Sequence, residues 1–259
     1  MLWAELFPRP RQLELNLALS AELYRVRAVL LDIEGTTTPI DFVYKTLFPF
    51  ASRRVEEFLR AHSMEVEVRS LIADLRQEHG PENWNGQTPA AEIESAAHYV
   101  RRLIQQDRKV AALKTLQGKI WEEGYRSGEL RGEVYDDVPR AFERWKKEGK
   151  RIAIFSSGSV LAQELLFRNS TRGDLTRFIE AYFDTTTGPK RNAASYLNIA
   201  EVIALRADAF LFVSDVSAEL DSAREAGMLT ALSLRPGVAV PEEKNHPAIT
   251  SFDELFLAP

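Results

Sequence analysis

The 259-residue sequence contains no cysteine, and this absence excludes both a disulfide framework and a thiol nucleophile. Long apolar runs are also absent, because charged residues interrupt every hydrophobic stretch before it reaches the ~18 residues of a membrane span. Four charged side chains break up what would be the apolar core of a secretion signal: Glu5, Arg9, Arg11 and Glu14. The sequence therefore predicts a cytoplasmic protein without a membrane partner.

Basic clusters are scarce as well. The formal net charge is −5 and no long run of lysine or arginine occurs, which argues against a nucleic-acid partner. Hydrophobic residues make up 45% of the chain, enough to bury the core of one or two domains. The four histidines lie outside the motifs described below, so we expect structural or exposed positions for His62, His79, His98 and His246.

Two carboxylates follow the first predicted strand. Residues 28–31 form an apolar run that is typical of a parallel strand covered on both faces, and Asp32 and Glu34 come directly after it. Strand alternation would point these two side chains the same way. Gly35 permits a sharp turn. Ligands bind at the carboxyl ends of strands in open α/β sheets, so the segment is a candidate site, although such residues also occur in ordinary turns.

The second predicted strand, residues 152–155, also ends in small polar residues. Ser156 and Ser157 follow it, then Gly158 and Ser159, and a helical pattern begins after them. Hydroxyls and free amides at the start of a helix can bind an anion such as phosphate. A helix cap needs only one serine, so this run favours a phosphate pocket over a simple cap.

A lysine and a further aspartate complete the pattern. Lys190 precedes a predicted helix, where a cation is unfavourable unless an anion is bound nearby. The predicted strand at residues 209–213 is followed, after one serine, by Asp215. Asp32 and Asp215 could converge on a hard cation such as Mg²⁺, which takes few protein oxygens together with water and phosphate. Glu219 fits an acidic residue in the first turn of a helix.

The arrangement of strand and helix patterns predicts the fold. They alternate from residue 151 onward, which is typical of βαβ units, whereas helical patterns fill the hundred residues before. We predict an α/β fold with a Rossmann-like, mostly parallel sheet core and an inserted α-helical cap. The predicted segments are an N-terminal extension of unknown role at 1–25, the core at 26–44 and 136–259, and the cap at 45–135.

The extension carries leucines at every second position, namely Leu13, Leu15, Leu17 and Leu19. This alternation suggests a strand, but the same leucines could line a short helix. We assign the extension no function.

The order of the four motifs resembles the haloacid dehalogenase superfamily of aspartyl-phosphate phosphatases. A closer resemblance, from about residue 26 to the C-terminus, is to the enolase-phosphatases of methionine salvage. It rests on the segments Asp32-Ile33-Glu34-Gly35-Thr36-Thr37-Thr38-Pro39-Ile40, Leu47-Phe48-Pro49-Phe50, Phe155-Ser156-Ser157-Gly158-Ser159-Val160 and Ile249-Thr250-Ser251-Phe252. Most of the superfamily carries a second aspartate where this chain has Glu34, and the enolase-phosphatases share the glutamate.

The resemblance implies a Mg²⁺-dependent reaction in which Asp32 attacks phosphorus and forms an aspartyl-phosphate that water hydrolyses. It assigns metal binding to Asp32, Asp215 and Glu34, the last through its main-chain carbonyl. The Glu34 carboxylate would then act as acid and base. The implied phosphate-binding residues are Ser156, Ser157 and Lys190, of which Lys190 is also expected to be catalytic.

The family's substrate is 2,3-diketo-5-methylthiopentyl-1-phosphate, which is enolised and then dephosphorylated to an acireductone. Two alternatives stay open: a phosphatase for another small phosphate ester without an enolase step, and a non-catalytic phosphate-binding or signalling module. The methylthio tail needs an apolar wall. Trp84 in the cap is our candidate for it, unless this side chain packs onto the cap's own helices. We expect a monomer.

Overall fold

The fold is described by a computed structural model covering residues 10–108, 110–236 and 245–256, with the side chains of Pro10 and Arg11 left undescribed. Residues 1–9 of the predicted extension lie outside this part of the chain.

The chain divides into two compact units. The first, called the sheet unit below, comprises the described residues up to Ile40 and from Gly132 onward. The second, called the helical unit below, is Asp41–Arg131. The boundaries predicted from sequence, after residues 44 and 135, each fall four residues beyond the divisions in the structure.

A six-stranded sheet forms the centre of the first unit. Its strands are β1 Ala28–Leu31, β2 Arg151–Phe155, β3 Ala181–Phe183, β4 Phe210–Ser214, β5 Leu229–Ser233 and β6 Ala248–Ile249. They lie in the order β3-β2-β1-β4-β5-β6, and every neighbouring pair is parallel. The predicted α/β fold with a mostly parallel sheet is confirmed.

The register of the sheet brings the candidate residues to one edge. All four residues of β1 are at most 1% exposed, as expected for a strand covered on both faces. Leu31 lies in register with Ile154 of β2 and with Val213 of β4. The residues that follow these three positions therefore emerge together, which places Asp32 between the ends of its two neighbouring strands.

Ten α-helices occur in the described part of the chain. They are α1 Pro10–Glu22, α2 Ile40–Phe42, α3 Phe48–Ala61, α4 Val66–His79, α5 Pro89–Gln105, α6 Ala111–Ser127, α7 Asp137–Lys147, α8 Val160–Arg168, α9 Ala193–Val202 and α10 Ser217–Glu225. A π-helical segment, Val43–Leu47, joins α2 to α3. Helices α3 to α6 make up most of the second unit. None of the helices in the described residues is long and apolar enough to cross a membrane.

The alternating leucines of the extension belong to helix α1, so the strand alternative was wrong and the helix alternative was right. The strands β3 and β6 were not foreseen individually, because segments of three and two residues are too short to show a pattern.

Helix α1 covers the open edge of the sheet through side-chain amides. The Asn16 side chain donates to the Ala248 carbonyl at 2.9 Å and accepts from the Ala248 amide at 2.9 Å. Gln12 donates to the carbonyl of His246 at 3.1 Å. Asn16 therefore makes the pair of hydrogen bonds that a further strand would make to β6.

We expect Asn16→Ala to lower the free energy of unfolding by about 1–3 kcal/mol, because two backbone groups of Ala248 lose their partners. Alanine is the better helix former, so helix propensity opposes this loss. Leu17→Ala is the control, since Leu17 lies on the same helix and is 61% exposed. Urea unfolding measures both variants, and equal stability would contradict a role for Asn16 at the sheet edge.

Candidate active site

The turn after β1 is built around Gly35. This residue adopts a φ of +68°, which favours glycine. The amides of residues 36–38 all donate to the carbonyl of Ile33, at 2.9–3.2 Å. A Cβ atom at Gly35 would lie 2.3 Å from Oδ2 of Asp215. The turn and Asp215 are therefore in direct contact, and a side chain at position 35 would separate them.

Asp32 is buried at the start of this turn, with 3% of its surface exposed. Its Oδ1 accepts a hydrogen bond from the amide of Ile33 at 2.7 Å and lies 2.7 Å from Nζ of Lys190. Its Oδ2 lies 3.2 Å from the hydroxyl of Ser214, the last residue of β4. These contacts hold the carboxylate in one orientation at the end of the central strand.

The predicted phosphate-binding lysine lies beside Asp32. Lys190 is 9% exposed, and its Nζ lies 2.7 Å from Oδ1 of Asp32 and 2.6 Å from Oε2 of Glu219. Burial by itself would lower the pKa of the ammonium, but the charges of Asp32 and Glu219 outweigh burial and raise this pKa. Lys190 is therefore a permanent cation, and not the solvated surface lysine that a loop position usually gives.

Backbone contacts fix the segment that carries the lysine. The hydroxyl of Tyr196 on α9 donates to the carbonyl of Lys190 at 2.7 Å, and the hydroxyl of Ser195 donates to the carbonyl of Pro189 at 2.8 Å. Gly188 has a φ of +143°, and a Cβ there would lie 2.3 Å from Oγ of Ser195. The first turn of α9 therefore positions Lys190 through its main chain.

The serine segment after β2 approaches the same turn. The hydroxyl of Ser156 lies 3.4 Å from Oε2 of Glu34 and accepts the amide of Gly158 at 3.2 Å. The Gln163 side chain donates to the carbonyl of Gly158 at 2.9 Å and thereby fixes the segment. The Ser157 side chain is half-buried and has no hydrogen bond within the described residues. Its hydroxyl can therefore turn toward a bound anion.

Negative charge exceeds positive charge in this cluster. Asp32, Asp215 and Glu219 lie around the single ammonium of Lys190, and no basic side chain in the described part of the chain forms an ion pair with Asp215. Burial, then the charges of Asp32 and Glu219, raise the pKa of Asp215 to about 7. Burial and Asp32 likewise raise the pKa of Glu219 to about 7, although Lys190 opposes this. An added cation would relieve the repulsion.

The sequence analysis did not recognise two residues that shape this cluster, Glu219 and Tyr196. Glu219 was interpreted as an acid in the first turn of a helix, but its carboxylate contacts Lys190 and lies 3.1 Å from the hydroxyl of Ser214. The one signal in the sequence was the short distance along the chain, because Asp215 precedes α10 and Glu219 lies in its first turn. Tyr196 showed only an apolar helical pattern, which gives no sign of a hydrogen bond to the lysine segment.

Trp84 lies in the helical unit. It is 7% exposed and packs edge-on against His79 and Tyr99 within the helical unit, with ring centroids 6.2 and 6.4 Å away. The alternative, that this tryptophan packs onto the cap's own helices, therefore describes its position.

Comparison with known proteins places these residues in a family. The sequence profile of haloacid dehalogenase-like hydrolases matches residues 26–227. A protein of Synechococcus elongatus named enolase-phosphatase E1 is 51% identical over 89% of this chain and 98% of its own length. The chain belongs to the enolase-phosphatase E1 family. A relative of the same name from Pseudomonas aeruginosa is 43% identical over 90% of this chain and 99% of its own length.

A solved structure agrees with this assignment. The UTR4 protein of Saccharomyces cerevisiae is 35% identical to this chain and superposes with a TM-score of 0.73. The match covers 88% of this chain and 99% of the yeast protein.

The charge excess predicts how stability depends on pH without metal. The folded-state pKa of Asp215 is about 7, above its usual value of 3.8, so the folded state holds this proton more tightly than the unfolded state. The carboxyl group of Asp215 therefore leaves the free energy of unfolding unchanged below about pH 4, lowers it increasingly as the pH rises to 7, and lowers it most above pH 7. We expect Asp215→Asn to stabilise the metal-free protein at pH 8 by on the order of 2 kcal/mol, and by less at pH 5.

Urea unfolding in chelator at both pH values measures this gain. Asp208→Asn is the control, because Asp208 is paired with Arg206 and the hydrogen bond from that arginine lowers its pKa. An increase in the free energy of unfolding of the control, or a larger increase for Asp215→Asn at pH 5 than at pH 8, would contradict the prediction.

Proposed function

We propose that this chain is a Mg²⁺-dependent enolase-phosphatase. It converts 2,3-diketo-5-methylthiopentyl-1-phosphate into the acireductone 1,2-dihydroxy-3-keto-5-methylthiopentene and phosphate. The observation that carries the proposal is the 2.7 Å contact between Lys190 and the buried Asp32, beside the further carboxylate of Asp215. This contact supports roles for Asp32 as the nucleophile, Lys190 as the charge for the phosphoryl group and Asp215 as a metal-binding carboxylate.

The donor set fits Mg²⁺. No three histidine or carboxylate side chains of the described residues are arranged to enclose a metal ion. Mg²⁺ does not need such a cage, because it binds through one or two carboxylates and completes its octahedron with water and phosphate oxygens. Asp32, Asp215 and the main-chain carbonyl of Glu34 would hold the ion. When bound, it would reduce the repulsion between a carboxylate and a phosphate dianion and stabilise an enolate oxygen.

Asp32 performs the covalent step. One carboxylate oxygen forms a bond to phosphorus as the ester oxygen leaves, which gives an aspartyl-phosphate and the acireductone. The hydrogen bond from the amide of Ile33 and the contact with Lys190 hold Oδ1, and Ser214 lies beside Oδ2. The carboxylate is therefore held in one orientation before substrate binds, which lowers the entropic cost of the attack.

Glu34 is our candidate for the acid and base. Its carboxylate is half-buried and lies 3.4 Å from the hydroxyl of Ser156, on the side of the turn that faces the serine segment. As an acid it would protonate the leaving oxygen, and as a base it would then take a proton from the water that hydrolyses the aspartyl-phosphate. We also propose Glu34 as the base that removes the proton beside the carbonyl during enolisation.

The phosphoryl oxygens would be held by Lys190 and by the serine segment. Lys190 supplies a full positive charge, whereas Ser156 and Ser157 supply hydroxyl donors. A bound phosphoryl group would share the ammonium of Lys190 with Asp32 and Glu219.

Time-resolved absorbance of the purified protein with the diketone phosphate and Mg²⁺ tests the proposal. We expect an enol signal that precedes or accompanies phosphate release. Parallel assays with a small phosphate ester that cannot enolise give the comparison. Phosphate release from such esters without turnover of the diketone would identify a different phosphatase, and no release from any ester would favour a non-catalytic module.

We expect Asp32→Asn to reduce phosphate release to less than about a hundredth of the parent rate, because the amide neither attacks phosphorus nor carries a charge for the metal. Asp221→Asn is a matched control, since Asp221 on α10 hydrogen-bonds to Arg224 and His246 instead. Phosphate release by Asp32→Asn close to the rate of this control would refute the nucleophile assignment.

Lys190→Ala should lower kcat/KM more than Ser157→Ala. The lysine places a full charge where negative charge develops, so we expect a loss of about a hundredfold or more, whereas water can partly replace the serine hydroxyl. Thermal unfolding of both variants separates catalytic from structural loss, because Lys190→Ala also leaves Asp32 and Glu219 without their cation. The reverse ranking would mean that Lys190 does not reach the phosphoryl group.

A further inference from the structure

The turn after β1, residues 35–38 and called the nucleophile turn below, is held from outside by two side chains at the end of β5. The hydroxyl of Ser233 donates to the carbonyl of Gly35 at 3.0 Å. Nε of Arg235 donates to the carbonyl of Thr36 at 3.1 Å. Two successive carbonyls of the turn are thus bound by residues about 200 positions away in the chain.

Ser233 and Arg235 reach the turn together because of the strand that carries them. Ser233 is the last residue of β5, and Arg235 follows two positions later, so alternation directs both to the same side. Ser233 is completely buried and Arg235 is 5% exposed. Neither side chain has a role in the reaction described above.

Arg235 is itself held through Nε, Nη1 and contacts with two aromatic rings, whereas its buried Nη2 has no hydrogen-bond partner in the described residues. Its Nη1 lies 2.7 Å from Oδ2 of Asp137 and 3.1 Å from the carbonyl of Thr250. The guanidinium also lies over the rings of Tyr135 and Phe252, 4.6 and 4.4 Å from their centroids. A planar group with an ion pair and two aromatic contacts has little freedom, so the carbonyl that it binds has little freedom as well.

The position of the nucleophile turn determines the space between the two aspartates. Gly35 lies so close to Asp215 that a Cβ would come within 2.3 Å of Oδ2. Only Ile33 and Glu34 separate the turn from Asp32, whose carboxylate accepts the amide of Ile33. A displacement of Gly35 therefore moves one aspartate relative to the other.

We propose that Ser233 and Arg235 are positioning residues that fix the nucleophile turn and so set the separation of Asp32 and Asp215. The role in metal binding rests on the proposed function above. Neither residue touches substrate or metal; both act through the backbone of Gly35 and Thr36.

Ser233→Ala tests this role with two measurements that need no substrate. Hydrogen exchange followed by mass spectrometry should show the amides of residues 35–38 exchanging about fivefold faster, because the turn loses one hydrogen bond. The Mg²⁺ concentration that half-saturates the rise in melting temperature should increase about tenfold. The Mg²⁺ dependence of kcat should shift in parallel.

Ser170→Ala is the matched control. Ser170 is also buried in the sheet unit, and its hydroxyl also donates to the carbonyl of a glycine, Gly173. This variant should lose stability in the same way but keep the parent's exchange at residues 35–38 and its Mg²⁺ affinity. If both serine variants shift Mg²⁺ affinity equally, or neither does, Ser233 is only a structural residue and the proposal fails.

Arg235→Lys tests the second residue and replaces Ser233→Ala if that variant does not fold. Lysine keeps a cation beside Asp137 but cannot also supply the Nε hydrogen bond to Thr36. We expect faster exchange at residues 35–38 and weaker Mg²⁺ binding; parent values for both would overturn the role of Arg235. Failure of the parent chain to turn over the diketone phosphate would instead refute the proposed function, and the exchange result would still decide the positioning role.

Discussion

The buried ammonium of Lys190 is surrounded by more carboxylate charge than it can neutralise. Lys190 contacts Asp32 and Glu219, while burial and then the charges of these two carboxylates raise the pKa of Asp215 to about 7. Such a cluster is costly to bury, because each carboxylate loses hydration. The excess charge is nevertheless what makes the site suited to a divalent cation and then to a phosphate dianion, each of which balances the other.

The sheet makes this cluster possible. Parallel strands end at the same level, so β1 and β4 deliver Asp32 and Asp215 side by side. The hydroxyl of Ser214 lies between Asp32 and Glu219. The strands themselves are apolar and rigid, and they place the charges at the edge of the core and not within it. Lys190 lies in a loop, and loop side chains are usually mobile, so its position needs separate support. Tyr196 in the first turn of α9 provides this support by donating a hydrogen bond to the main-chain carbonyl of Lys190.

Features that depend on local sequence were predictable, and features that depend on tertiary partners were not. A few consecutive residues determine each of these features: the apolar run of β1, the turn at Gly35, and the polar residues that end β2 and β4. The parallel sheet follows from the spacing of these segments along the chain. The contact of Glu219 with Lys190 joins residues that only the fold brings together. Trp84 in a turn-rich loop had two plausible positions, and only packing against His79 and Tyr99 decides between them.

Arg235 illustrates why such tertiary partners matter energetically. A buried ion pair with Asp137 gains little stability, because desolvation of both charges offsets most of their attraction. The value of the pair lies in its geometry. The guanidinium is flat and presents donors in fixed directions, so a single side chain can bind Asp137, the carbonyl of Thr250 and the carbonyl of Thr36 at once. If the turn holds a nucleophilic carboxylate, as we propose, it needs this kind of rigid support more than it needs additional stability.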